Sequence, residues 1–68
     1  MNLVLNGQPR ELPDGAKVAD AVTASGIPAL ARGIAVAVDR EVVPRSLWDV
    51  TPLADGQRVE VLEAVQGG

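Results

Sequence analysis

The sequence predicts an α+β domain in which a mixed five-stranded sheet packs one helix against one of its faces. Three observations lead to this prediction. Short valine-rich stretches alternate with turn residues, one ten-residue segment has the apolar spacing of a helix, and the last apolar stretch contains no breaker. With 68 residues, of which 47% are apolar, the chain can build one small aliphatic core.

The first two strands are predicted to form a hairpin over residues 1–12. Leu3-Val4-Leu5 supplies the apolar first strand, and Asn6-Gly7 is the strongest short signal for a two-residue hairpin turn. Pro13-Asp14-Gly15 follows with residues that favour a turn, so we expect the sheet hydrogen bonds to stop there.

A short helix is predicted over residues 16–25, because apolar residues recur there at i, i+3 and i+4. Gly26 supplies the stop signal that commonly follows the last turn of a helix. Lys17 stands where a capping Ser, Thr or Asp is expected, and a missing cap costs on the order of 1 kcal/mol. We therefore expect this helix to depend on packing.

The second half of the chain is predicted to contain three more strands. They lie at 34–38, 41–43 and 58–65, separated by Asp39-Arg40, a helical turn over 46–50 with Trp48 as a packing anchor, and Asp55-Gly56. The crossover rule allows the first and last strands to pair in parallel around the helix. This is the β-grasp arrangement seen in ubiquitin, and we assign residues 1–64 to it and residues 65–68 to a flexible tail.

Strand alternation divides the apolar residues between the two faces of the sheet. The face toward the helix is predicted to carry Leu3, Leu5, Val36, Val38, Val59 and Val61, packed with Val18, Val22 and Leu53. The opposite face is predicted to be small and apolar, and it carries Val4, Ala35, Ala37, Leu62 and Ala64. An uncovered apolar face beside the tail is a candidate docking surface, although scattered exposed aliphatic residues are also ordinary.

The composition argues against an enzyme, so we predict neither catalytic residues nor a metal site. The chain lacks cysteine and histidine, which removes the thiolate nucleophile and the commonest general base and neutral metal ligand. A net charge of −3 with scattered basic residues argues against nucleic acid and suits a basic protein partner or simple solubility. The longest apolar run, residues 34–38, is too short to span a membrane. A cytoplasmic location is expected.

The last two residues, Gly67-Gly68, form a thin and pliable arm that fits a narrow active site. An α-carboxylate is ionised at neutral pH, because such groups titrate near ~3.5. It could attack the α-phosphate of ATP and become an acyl-adenylate if a partner enzyme supplies the nucleotide. The alternative is an inert end, since chain termini are commonly disordered.

The chain resembles the bacterial sulfur carrier proteins of thiamine thiazole biosynthesis, a ubiquitin-like β-grasp family. The resemblance rests on Ala35-Val36-Ala37-Val38-Asp39, Val43-Pro44-Arg45, Trp48, Asp55-Gly56 and residues 59–68. It implies a thiocarboxylate on Gly68, with Gln66 and Gly67 in the arm that enters the partner. It also implies two partners, an adenylating sulfurtransferase that uses ATP and a thiazole synthase, and no cofactor bound by the carrier itself.

Three other functions stay open on the sequence. The small subunit of molybdopterin synthase shares the fold and the terminal diglycine, but it tends to be longer, with aromatic residues in its last strand. A ubiquitin-like modifier would attach its terminal glycine to lysines of other proteins. A plain β-grasp interaction module would carry an inert tail.

Overall fold

The computed structural model describes residues 1–28 and 33–63. Across these residues five strands form one sheet that carries one α-helix and one 3₁₀ turn. The elements are β1 (Asn2–Leu5), β2 (Gln8–Glu11), α1 (Val18–Ala24), β3 (Ile34–Val38), β4 (Glu41–Val42), the 3₁₀ turn (Arg45–Leu47) and β5 (Arg58–Glu63). This order confirms the predicted β-grasp succession.

The strand leading toward the tail lies in the middle of the sheet. The strand order is β2-β1-β5-β3-β4, so β5 is held between β1 and β3. It pairs in parallel with β1 through Val4 with Arg58 and Leu5 with Val59. The other strand pairs are antiparallel. The predicted parallel pairing of the first and last strands is therefore confirmed, as the crossover rule requires.

The helix begins two residues later and ends one residue earlier than the sequence predicts. It covers Val18–Ala24, Ser25 is its C-cap, and Gly26 follows with a φ of 84°. A left-handed residue directly after the C-cap is the usual way for a helix to end, and glycine adopts that conformation without a steric penalty.

Distant backbone groups supply the helix cap that Lys17 cannot provide. The N–H of Val18 donates to the carbonyl oxygen of Thr51 at 2.9 Å, and the N–H of Ala19 donates to that of Trp48 at 3.1 Å. The carboxylate of Asp20 accepts the N–H of Lys17 at 2.7 Å. The first turn of the helix thus depends on a loop from the second half of the chain, which packs against it and satisfies its free donors.

The predicted division of the sheet into two faces is confirmed within the described chain. The buried core consists of Leu3, Leu5, Ala16, Val18, Ala21, Val22, Val36, Trp48, Leu53, Val59 and Val61, and the half-buried Val38 packs against it. Trp48 is the anchor that the sequence predicts: its indole N–H donates to the carbonyl oxygen of Val43 at 2.9 Å. The guanidinium of Arg45 lies 5.0 Å from the centre of its ring.

Neighbouring residues on β5 provide a test of this division. Val61 is 1% exposed and Leu62 is 59% exposed. We expect Val61→Ala to lower the free energy of unfolding by roughly 1–3 kcal/mol, through lost burial and a residual cavity. Leu62→Ala, the matched control, should change it by less than about 0.5 kcal/mol. Urea denaturation of both variants measures this, and the reverse ranking would show that the strand is shifted by one residue.

Candidate functional site

The sheet face turned away from the helix carries the predicted docking residues that the structure describes. On β3 and β5, Ala35 pairs with Leu62 and Ala37 pairs with Glu60, so their side chains share one face. Val4 reaches the same face on β1, beside Arg58. Ala64, the fifth predicted docking residue, lies outside the described residues. We call this surface the outer face.

The outer face also contains residues that the sequence reasoning missed. Val42 on β4 pairs with Ala37 and is 75% exposed. Arg58 and Glu60 occupy the same face of β5 as Leu62, because the three residues are spaced by two. Two opposite charges therefore lie on the central strand of this surface. The prediction of a wholly apolar face is therefore wrong. The sequence does contain the signal: residues 58, 60 and 62 are spaced by two, which places all three side chains on the same face of a strand.

A shallow groove runs along the outer face beside the turn between β1 and β2. Its lining residues are Asn6, Gly7, Arg58, Glu60 and Leu62. The groove combines an apolar side chain, one cation and one anion, so it suits a protein surface with complementary charges better than a small apolar ligand.

The described part of β5 ends next to this groove. Glu63, its last residue, pairs with Ile34 at the start of β3. At the same end of the sheet, the side chain of Asn6 hydrogen-bonds the backbone of Val61. The predicted tail residues Gln66, Gly67 and Gly68 lie outside the described residues, as does Ala64. The outer face is therefore adjacent to the end of the described part of β5.

Two aspartates in the described ranges accept backbone hydrogen bonds that hold distant parts of the fold together. The Asp55 carboxylate accepts the N–H of Asn2 at 2.7 Å, and the Asp39 carboxylate accepts the N–H of Arg58 at 3.0 Å. Among residues 1–28 and 33–63, no group of three or more Asp, Glu, His or Cys side chains is arranged to hold a metal ion. No helix in that part of the chain is long and apolar enough to cross a membrane.

Comparison with known proteins gives a consistent result over the whole length. The model of the ThiS family matches residues 3–68. The crystal structure of a thiamine biosynthesis protein, ThiS, from Geobacter metallireducens is 33% identical with a TM-score of 0.79, and both chains are covered completely. A solution NMR structure of a thiamine biosynthesis protein from the same organism is 31% identical with a TM-score of 0.77, covering 100% of this chain and 88% of that one. No curated protein matches the sequence.

Proposed function

Because the chain belongs to the ThiS family and is a sulfur carrier of thiamine biosynthesis, we propose that its sulfur is carried on the carboxylate of Gly68. The supporting observation is the position of β5, the central strand, which leads toward the terminal Gly67-Gly68. A tail that follows a central strand starts from the most firmly held part of the fold. The match to the ThiS family favours the thiamine pathway over that of molybdopterin synthase.

The proposed reaction takes place in partner enzymes. In an adenylating partner, a carboxylate oxygen of Gly68 attacks the α-phosphate of ATP, and the bond from that phosphorus to pyrophosphate breaks. A persulfide sulfur of the partner then attacks the acyl carbon and displaces AMP, and reductive cleavage of the sulfur–sulfur bond by a thiol leaves the thiocarboxylate. A thiazole synthase takes this sulfur. The carrier is thus a substrate and not an enzyme, and the need for ATP fits a cytoplasmic location.

Adenylation is needed because a carboxylate is a poor electrophile with a poor leaving group. For this reaction the chain supplies a tail that is long enough to enter the partner and narrow enough to fit its channel. Four extended residues, 65–68, span roughly 13–14 Å. The two terminal glycines have no side chain to obstruct a narrow channel.

The folded domain must supply the affinity for these partners. Fixing the backbone of one residue costs about 1–2 kcal/mol, so ordering four tail residues costs on the order of 4–8 kcal/mol. The tail alone would therefore bind weakly. We assign docking to the outer face, where Leu62 and Val42 are exposed and Arg58 and Glu60 provide charges that orient the partner.

Intact mass spectrometry of the protein purified from cells tests the proposal directly. We expect a fraction of the chain to be heavier by the difference between one sulfur and one oxygen atom. Fragmentation should place the added mass on Gly68. A sulfur atom found on any other residue would contradict the proposal, and so would a chain that never gains sulfur in cells with an intact thiamine pathway.

The docking assignment predicts that Leu62→Glu weakens binding to the adenylating enzyme. Loss of one apolar contact and burial of a charge should cost at least ~2 kcal/mol of binding free energy, measured by calorimetry. Leu47→Glu is the matched control, because Leu47 is also exposed but lies on the 3₁₀ turn outside the sheet. Equal affinities for both variants, with unchanged melting curves, would show that the outer face is not the interface.

A further inference from the structure

The side chain of Asn6 takes the place of a missing strand residue beside β5. The backbone of β1 pairs with β5 only through Val4 with Arg58 and Leu5 with Val59. Two residues further along β5, the N–H of Val61 donates to Oδ1 of Asn6 at 2.7 Å. Nδ2 of Asn6 donates in return to the carbonyl oxygen of Val61 at 3.2 Å. One side chain thus makes both hydrogen bonds that a strand neighbour would make.

Asparagine is well suited to this position for two reasons. Its carboxamide presents an acceptor and a donor side by side, whereas an ionised aspartate offers only acceptors. The backbone of Asn6 also has a φ of 50°, in the left-handed region that asparagine adopts more readily than most residues. The turn therefore directs the carboxamide at the backbone of Val61, which lies beyond the part of β5 that pairs with β1.

The position of this contact connects it to the tail. Val61 lies two residues before Glu63, where the described part of β5 ends. On the other side of β5, the β3 ladder continues to the pair of Ile34 with Glu63. Without the Asn6 carboxamide, the end of β5 would be supported from the β3 side alone. The position of β5 at Val61 to Glu63 thus depends on both supports.

We infer that Asn6 is a positioning residue for sulfur loading: its paired hydrogen bonds to Val61 fix the direction in which the tail leaves the domain. The inference rests on the proposed function, because it concerns delivery of Gly68 to the adenylating enzyme. Reacting groups must be held in a narrow range of distances and angles, so a misdirected tail slows the chemical step. Asn6 also lines the outer-face groove, but the docking side chains Arg58, Glu60 and Leu62 belong to β5 and are kept when its carboxamide is removed. We therefore expect docking through the outer face to be retained.

The fold contains a matched control at the opposite end of β5. Asp39 has a φ of 48°, and its carboxylate accepts the N–H of Arg58, the first residue of β5. Asn6→Gly and Asp39→Gly both relieve a left-handed backbone and both remove side-chain hydrogen bonds to β5, two for Asn6 and one for Asp39. They also differ in whether the contact lies at the tail end of the strand. A purely structural role predicts a loss of stability in each variant, but no fall in kcat at a temperature where the variant is folded.

The test measures pyrophosphate release by the adenylating enzyme with Mg-ATP and the full-length carrier as the varied substrate. For Asn6→Gly we expect kcat to fall by about tenfold, with KM within about twofold of wild type. For Asp39→Gly both constants should stay within about twofold of wild type. Amide hydrogen exchange at Val61 should accelerate by about two- to tenfold in Asn6→Gly alone, as loss of one modest hydrogen bond implies.

Each result supports or overturns the inference. Equal kcat for the two variants, or a change in KM alone, would overturn it while the proposed function stands. A wild-type carrier that supports no pyrophosphate release would overturn the proposed function and the inference with it. The assays are carried out at a temperature at which circular dichroism shows that each variant is folded. If Asn6→Gly does not fold, Asn6→Asp keeps the acceptor for the Val61 N–H, replaces the donor by an oxygen that repels the Val61 carbonyl, and should also lower kcat.

Discussion

Deletion of Gly68 is expected to abolish sulfur loading while leaving the melting temperature of the domain unchanged. The deletion moves the terminal carboxylate back by one residue, roughly 3.3–3.6 Å along an extended arm. Reacting atoms must approach to about 3–3.5 Å before a bond can form, so a shift of this size removes the carboxylate from the attack position. Intact mass spectrometry of the deletion variant, expressed alongside wild type, measures the loss.

Gln66→Ala is the matched change within the same arm. It alters a tail side chain but keeps the length of the arm and the Gly67-Gly68 end. We expect this variant to gain sulfur to at least the wild-type extent, because alanine occupies less space in a narrow channel. A Gly68 deletion variant that still acquired sulfur would show that the reactive group lies elsewhere.

Replacement of Trp48 by alanine is expected to have the largest effect on stability. Removal of a buried tryptophan costs about 3–5 kcal/mol. A domain of this size has a total stability of about 3–10 kcal/mol at 0.05–0.15 kcal/mol per residue. The ring is 5% exposed and its N–H bonds to Val43. Because the Trp48 carbonyl also caps α1 through Ala19, we expect its displacement to weaken the helix as well.

Trp48→Phe distinguishes the contribution of the ring's packing to stability from that of its hydrogen bond. It keeps most of the apolar volume but leaves the Val43 carbonyl without the indole donor, which should cost about 1–3 kcal/mol. Urea denaturation followed by circular dichroism compares both variants with wild type and needs no tryptophan fluorescence. A Trp48→Ala variant within about 1 kcal/mol of wild type would show that the ring does not anchor the core.

Features that depend on neighbouring residues could be predicted from the sequence. The Asn6-Gly7 signal placed the first hairpin turn, and valine-rich alternation placed β3 at Ile34–Val38 with the observed bounds. Strand alternation also assigned Val61 to the core and Leu62 to the surface, as observed. Each of these follows from local backbone preference or from the period of two in a strand.

Features that depend on distant residues could not be predicted in the same way. Thr51 and Trp48 cap a helix that begins some thirty residues earlier, and no local pattern around Lys17 indicates it. The bonds from Asn6 to Val61 connect residues 55 positions apart. The candidate site was predicted in part: Val4, Ala35, Ala37 and Leu62 lie on the outer face as expected, and Ala64 lies outside the described residues. Its charged members, Arg58 and Glu60, became visible only once the strand register was known.

The central place of β5 also has a consequence for how the protein is made. Every other described element is synthesised before β5, yet β5 is the strand that joins the β1–β2 hairpin to the β3–β4 hairpin. An incomplete chain that stops before Arg58 therefore holds two separate hairpins, and isolated hairpins are marginally stable in water. The sheet closes only when β5 leaves the ribosome. A partner that recognises the closed sheet would consequently bind no nascent chain that still lacks β5.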